Sequence, residues 1–449
     1  MVAVADDVAP TVMDDDPRQA IHKLQLLLNI TEVHGHQLHM EFGISKCKLL
    51  ISGRPKKVKE TEKILNDDPG LLTFFGNPVS IVSDFYTHIG VPQAPRQQSK
   101  VITDCRISAG MKISYSLQDS MKNAARGLSP LSGRKMFLSY HQPSFLYGTD
   151  TVPLNLTDMA RLETAYRGVI KKMLAIPEYT ASCAVYLTSG IFPAEAQRDL
   201  EILGLLGQIA MCPVDLQSVS EIIKHHLQFY GEDCPGWSGL VRRTAQKYGL
   251  PDPLQYMEYP WPADRWRAHC RDTVAQYWDS KLREEADMKS TLTHLDIESL
   301  TVKQPAKIWS MAGLDSEEVK KATINNWMLL GVYQTNVVMK KMKKVKSEMC
   351  MACNGEQEDL AHLVFHCPPF QEVRERYLPL YHLDNPHLTE VMEDEQLLLT
   401  AILDPESSLL PLSVMRGWTS SNKIYKISRD YLYNLHRKRE KVLQNLHIS

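Results

Sequence analysis

Four residues late in the sequence have the types and spacing of a closed metal site: Cys350-x2-Cys353-x8-His362-x4-Cys367. Two thiolates separated by two residues can reach one ion from a single turn, and Asn354-Gly355 lets the chain reverse behind them. Leu360, Leu363 and Val364 suggest a short helix from about Asp359, which would send His362 back toward the sulfurs. Cys367 closes the set immediately before Pro368 and Pro369. Zinc favours three thiolates and an imidazole, and four protein ligands leave no open position, so the expected ion is structural. His366 competes for the third place, but its adjacency to Cys367 makes it awkward for sharing the ion. The bland alternative is three free cysteines and a surface histidine. Ligand type and spacing agree on the metal.

Two further groups have chemistry in their spacing. Just before the cluster lie Lys340, Lys341, Lys343, Lys344 and Lys346, five lysines in seven positions. They could grip phosphates in a salt-dependent way, or form a solvated helix face. At the other end, MVAVADDVAPTV reads as a hairpin with Asp6 and Asp7 near its tip. A solvated acidic turn is the bland reading of that pair. Pro10 falls in the second hairpin strand, where it would remove a ladder hydrogen bond unless that strand is an edge.

Elements must position these groups. Asp14, Asp15 or Asp16 can cap a helix whose first turn holds Pro17 and whose apolar face is Ile21, Leu24 and Leu28. Residues 40–51 read as a strand with Lys46 and Lys48 beside apolar neighbours, and residues 84–91 as another short strand. Helical spacing dominates residues 100–213. Within it, 158–176 places Leu162, Tyr166, Val169, Ile170 and Met173 on one face, and Pro177 ends the helix. The segment 232–262 contains CPGW, PDP and YPWP and reads as a linker or long loop. Helical pattern resumes at 266–286, continues less regularly to 342, and returns in a tail over 425–446.

Bulk composition narrows the setting. The 449 residues are 43% hydrophobic and 23% charged, with a formal net charge of -2, so any nucleic-acid contact must be local. Nine cysteines, scattered apart from one cluster, fit a reducing compartment better than a disulfide framework. No apolar run approaches a membrane span, and acids stand where a secretory signal would carry basic residues. The expected location is nucleus or cytoplasm, with no membrane partner.

Val4-Ala5-Asp6-Asp7 resembles the Ala-Asp-Asp signature of reverse transcriptases, with Val4 in place of the usual aromatic. In order after it, Gly43-Ile44-Ser45-Lys46-Cys47-Lys48 resembles a lysine-bearing segment of that family. Tyr86-Thr87-His88-Ile89-Gly90-Val91 resembles its primer-grip strand. Leu146-Tyr147-Gly148, the helix at 162–167 and Gly190-Ile191-Phe192-Pro193 resemble thumb and post-thumb segments. The Cys/His cluster is similar to the zinc knuckle that closes many non-LTR (LINE-like) retrotransposon polymerases. The match runs nearly the whole chain.

The resemblance implies an α+β fold. A partial palm, a small antiparallel sheet with a helix, would occupy 1–95 and thumb and post-thumb helices 96–230. A helical connection would follow over 231–345, a CCHC zinc knuckle over 346–370 and a helical tail over 371–449. It implies an RNA-directed DNA polymerase that binds RNA or DNA and uses magnesium at Asp6 and Asp7, with Lys46 near a phosphate. Nucleotidyl transfer also needs a further aspartate from an earlier strand, and fingers for template and nucleotide. Neither has a counterpart between Met1 and Asp6, so the expectation is an inactive fragment, magnesium being needed only by a complete site. The alternative is a non-catalytic, zinc-dependent RNA- or DNA-binding protein. A nuclease after the knuckle finds little support, since the sequence after Cys367 has Leu403-Asp404-Pro405-Glu406 but no Pro-Asp followed by a spaced Asp/Glu-x-Lys.

Overall fold

The computed structural model describes residues 2–4, 7–117, 123–212, 217–231, 234 and 236–448. Most are helical, and among them the strands form four short pairs, three antiparallel and one parallel. The composition is α+β in kind, but the strands do not join into one antiparallel sheet. The chain divides into two compact units: Met1–Ser108 with Tyr147–Ala160, and Ala109–Leu146 with Arg161–Ser449.

In the first unit β1 (Val2–Val4) pairs with β2 (Asp7–Ala9), Val4 opposite Asp7, giving the expected hairpin. Asp6 lies outside the described residues, as does the side chain of Asp7. Pro10 falls after β2, so the anticipated ladder defect does not arise. Helix α1 (Pro17–Gln37) starts as its sequence indicates, with Pro17 in the first turn and the Asp16 carboxylate accepting the Arg18 amide at 2.9 Å. Its Ile21 is buried with Leu72 and with Leu65 of α2 (Pro55–Asp67), and Leu24 and Leu28 pack against them.

Two strand expectations need correction. Within 40–51, residues Ile44–Lys46 make a single 3-10 turn, and only β3 (Lys48–Leu49) is extended. A reversal that closes on Gly43 interrupts the apolar run, the Lys46 and Cys47 amides donating to the carbonyls of Gly43 and Ile44. Between α2 and the next helix, β4 (Thr73–Phe74) pairs with β5 (Asn77–Pro78), and β6 (Ser80–Ile81) lies parallel to β3. Residues 84–91 are likewise not one strand but a hairpin arm, turn and return: β7 (Tyr86–His88) reverses into β8 (Val91–Gln93). Ile89 and Gly90 both take positive φ, 49° and 72°, the two-residue turn whose twist suits a tight hairpin. Arg106 of α3 (Gln98–Ser116) secures it by donating to the Gly90 carbonyl, while the Tyr147 hydroxyl donates to that of Ile89 at 2.8 Å.

The second unit is built on buried helix faces. After α4 (Pro130–Met136) and α5 (Gln142–Leu146) comes α6 (Leu156–Leu174), whose last fourteen residues belong here. Leu162, Tyr166, Val169, Ile170 and Met173 are all buried, and the rings of Phe137 and Phe145 meet Tyr166 edge-on. The helix stops at Leu174, where Ala175 turns the chain with φ 55°, before Pro177 is reached.

Next come α7 (Ser182–Ser189), α8 (Ala194–Ala210) and α9 (Gln217–Tyr230). The segment 232–262 is not a linker. It holds α10 (Gly236–Lys247) and α11 (Pro253–Glu258) before α12 (Ala263–Asp287). Its turn residues are helix punctuation: Gly249 takes φ 63°, Asp252 caps α11 through the Leu254 amide, and Pro253 opens that helix. Trp266 of α12 is buried against α8, its indole N–H donating to the Leu203 carbonyl at 2.8 Å. Gly207 makes room, since a Cβ there would sit 2.4 Å from the ring.

The chain then returns to its earlier helices. The Ser129 hydroxyl donates to the Gly313 carbonyl at 2.7 Å, beyond α13 (Lys307–Ala312), and Gly190 is pressed against the backbone of Gln304. Helices α14 (Ser316–Leu329) and α15 (Asn336–Lys341) lead to the Cys/His segment. Beyond it come α16 (Gln371–Asp384), α17 (Glu395–Leu403), α18 (Leu412–Arg416) and the long α19 (Ser421–Ile448). No helix among the described residues is long and apolar enough to cross a membrane.

Candidate metal centre

The four ligands expected from spacing converge. One donor atom from each of Cys350, Cys353, His362 and Cys367 lies within 4.8 Å of the others, the span four donors around one ion would have. Cys350 Sγ is 3.7 Å from Cys367 Sγ, and Cys353 Sγ is 3.4 Å from His362 Nε2.

Local backbone chemistry explains the convergence. The Asn354 amide donates to the Cys350 carbonyl at 2.8 Å and the Cys350 amide to that of Glu356 at 2.7 Å, closing the turn that carries both cysteines. Asn354 takes φ 55°, a left-handed position that asparagine tolerates. Asp359 caps the following turn by accepting the His362 amide at 2.7 Å. The wide π-helical turn at His362–His366 then lets the Cys367 amide reach the His362 carbonyl, five residues back, at 2.8 Å, bringing the last sulfur near the first. Leu363, Val364 and Phe370, in the same stretch of chain, are buried.

The donor set fits zinc: three sulfurs and an imidazole nitrogen, with Cys350, His362 and Cys367 buried and Cys353 partly exposed. Glu356, which carries no signal of its own in the ligand spacing, accepts from His362 Nδ1 at 2.9 Å, so Nε2 is the nitrogen left facing the sulfurs. A carboxylate holding the far side of a ligating imidazole is a recurrent way of fixing its tautomer and angle. The one hint in the sequence is that the eight-residue spacer holds three acids, Glu356, Glu358 and Asp359. Burial pushes the Cys353 thiol up, but the Gly355 amide and neighbouring donors outweigh it and lower the thiol to about 7. At Cys350 burial prevails, and the thiol is raised. His366 is exposed, pairs with Glu395 and stays outside the set.

The other candidate residues are not part of this cluster. Among the described residues the Cys3His set is the one group of His, Cys, Asp or Glu arranged to hold a metal. Asp14 and Asp16 are engaged at the start of α1: Asp14 pairs with Lys23 and accepts the Asp16 amide, and Asp16 caps the helix. Lys46 is exposed at its 3-10 turn in the first unit. The lysine run is not one helix face. Lys340 and Lys341 end α15, Lys343 takes φ 57°, and Lys344 and Lys346 follow in irregular chain. All five are exposed, and Lys340 pairs with Glu348 at 3.2 Å.

No family model, curated protein or solved structure matches this chain.

Proposed function

We propose that the chain corresponds to the stretch of a non-LTR retrotransposon reverse transcriptase running from the Ala-Asp-Asp motif to the zinc knuckle. In this form it binds RNA or DNA without extending a primer. The observation that carries the reading is the convergence of Cys350, Cys353, His362 and Cys367, at the place in the motif order where the family keeps its knuckle. In this reading zinc orders the segment and takes no part in chemistry, because four protein ligands leave it no free position. The exposed lysines just before the cluster supply phosphate contacts.

No primer extension is expected of residues 1–449 by themselves: Asp14 and Asp16 are engaged at the start of α1, so neither joins Asp6 and Asp7 in a two-metal carboxylate cage. The expected result is binding of single-stranded RNA or DNA that weakens steeply with salt. Primer extension with Mg²⁺ or Mn²⁺ should stay at the level of an Asp6→Asn control. Incorporation above that control would overturn the non-catalytic reading, and absence of nucleic-acid binding would overturn the whole assignment.

A further inference from the structure

Away from the metal centre, guanidinium groups gather on the turn that joins α7 to α8. Arg134 of α4 donates through Nε to the Gly190 carbonyl and through Nη2 to the Lys303 carbonyl, both at 3.0 Å. Arg271 of α12 lies over the ring of Phe192 on the same turn, its Cζ 5.6 Å from the centroid. One helical turn before it stands Arg267, also exposed. Among the described residues none of these three arginines has a carboxylate partner. Asp272, beside Arg271 in sequence, pairs instead with Lys303 at 2.9 Å.

The platform is closely packed. Gly190 takes φ 62°, and a Cβ there would fall 2.1 Å from the Gln304 carbonyl carbon; the Ala306 amide donates to the Thr188 carbonyl at 3.0 Å. Burial and the nearby Arg271 charge both lower the Arg134 pKa. Like charges held together on a fixed turn without a counter-charge are unfavourable alone and favourable around an anion. A guanidinium fork suits phosphate oxygens in particular.

We propose that Arg134, Arg271 and Arg267 form a phosphate-binding corner on the turn at residues 190–193 that holds the backbone of a bound polynucleotide. The inference rests on the nucleic-acid reading above and adds a contact surface separate in sequence from the lysine run. Arg134 also fastens the fold through its two carbonyl bonds, so the test uses the exposed pair.

The full chain is titrated with fluorescein-labelled single-stranded RNA over a salt series, alongside Arg271→Gln and Arg267→Gln/Arg271→Gln, with thermal melts to confirm that the variants fold. Each arginine removed should make the slope of log affinity against log salt shallower by about 0.7. Wild-type binding with unchanged slope and affinity in both variants overturns the corner and leaves the nucleic-acid reading standing. Wild-type chain that does not bind RNA overturns both. Arginine-dependent binding of inorganic phosphate without RNA binding overturns the polynucleotide assignment.

Discussion

Glu358 and Arg439, 81 positions apart, face each other as a buried two-bond ion pair, Nε to Oε1 at 2.8 Å and Nη2 to Oε2 at 2.9 Å. Glu358 also accepts the Asn336 amide at 2.8 Å, and Arg439 donates to the Gln334 carbonyl at 3.0 Å. The base of the metal turn, the start of α15 and the last helix therefore share one electrostatic joint. The Tyr431 hydroxyl adds a second tie from α19, donating to the Val364 carbonyl at 2.7 Å.

Removing one side of that joint should be costly. Glu358 is 1% exposed, and Arg439→Met would strand its carboxylate, at a cost of about 3–5 kcal/mol. Urea unfolding followed by far-ultraviolet circular dichroism measures it. Adding Glu358→Gln should recover part of the loss, since the uncompensated charge is gone. A single variant as stable as the wild type would mean the pair contributes little.

Metal analysis after purification under reducing conditions should find about one zinc per chain, and Cys350→Ser should abolish it. Glu356→Gln should keep the ion but weaken retention about 10- to 100-fold in a chelator competition, because the imidazole loses the group that orients it. Stripping the metal should raise amide exchange across residues 346–370 and in α19. Metal-free protein that is fully folded would end the zinc assignment.

Neutralising Lys340, Lys341, Lys343 and Lys344 should weaken RNA binding at low salt and flatten its salt dependence by about 0.7 for each phosphate no longer neutralised. Because the run changes from helix end to irregular chain at Lys343, single substitutions should be nearly equivalent instead of following a helical period. Filter binding across a potassium chloride series is sufficient. Affinity that ignores all four changes would place the RNA-binding surface elsewhere.

Acid should loosen the joint between α14 and α19. Burial pushes the Glu318 carboxyl up, but hydrogen bonds from Lys321 (2.8 Å) and Arg429 (2.7 Å) outweigh it and hold the group at about 2, against an ordinary 4.5. A folded-state value below the unfolded one means a stabilising contribution fully present above pH 4.5 and lost as pH falls toward 2. Thermal melts between pH 2 and 6 should show that loss, and Glu318→Gln should flatten this part of the curve. A variant with the wild-type profile would assign the acid sensitivity to other groups.

Chemistry confined to short stretches is what the sequence makes legible. The four candidate metal ligands lie within eighteen residues, and their spacing alone singles them out. The Asp16 cap and the buried face of α6 are legible for the same reason, since capping and helical period are local. Legibility ends where one residue type serves two purposes. Gly249, Asp252 and Pro253 mark turns in a loop and also mark where one helix stops and the next begins, so α10 and α11 read as a linker. Ile89 hides the β7–β8 turn because a β-branched residue at positive φ is not a turn signal. Glu358 with Arg439, and Arg134 on the carbonyls of Gly190 and Lys303, join distant segments, and no periodicity announces such partners.

The return of the chain at residues 304–313 onto Ser129 and Gly190 bears on how the protein is made. A ribosome that has delivered the first 300 residues has supplied one side of these contacts and not the other. Until the Gly313 carbonyl emerges, the Ser129 hydroxyl and the turn at Gly190 wait for their partners, and these long-range contacts form late. A polypeptide ending before that point would lack the partners of Ser129 and Gly190, whatever its first unit had achieved.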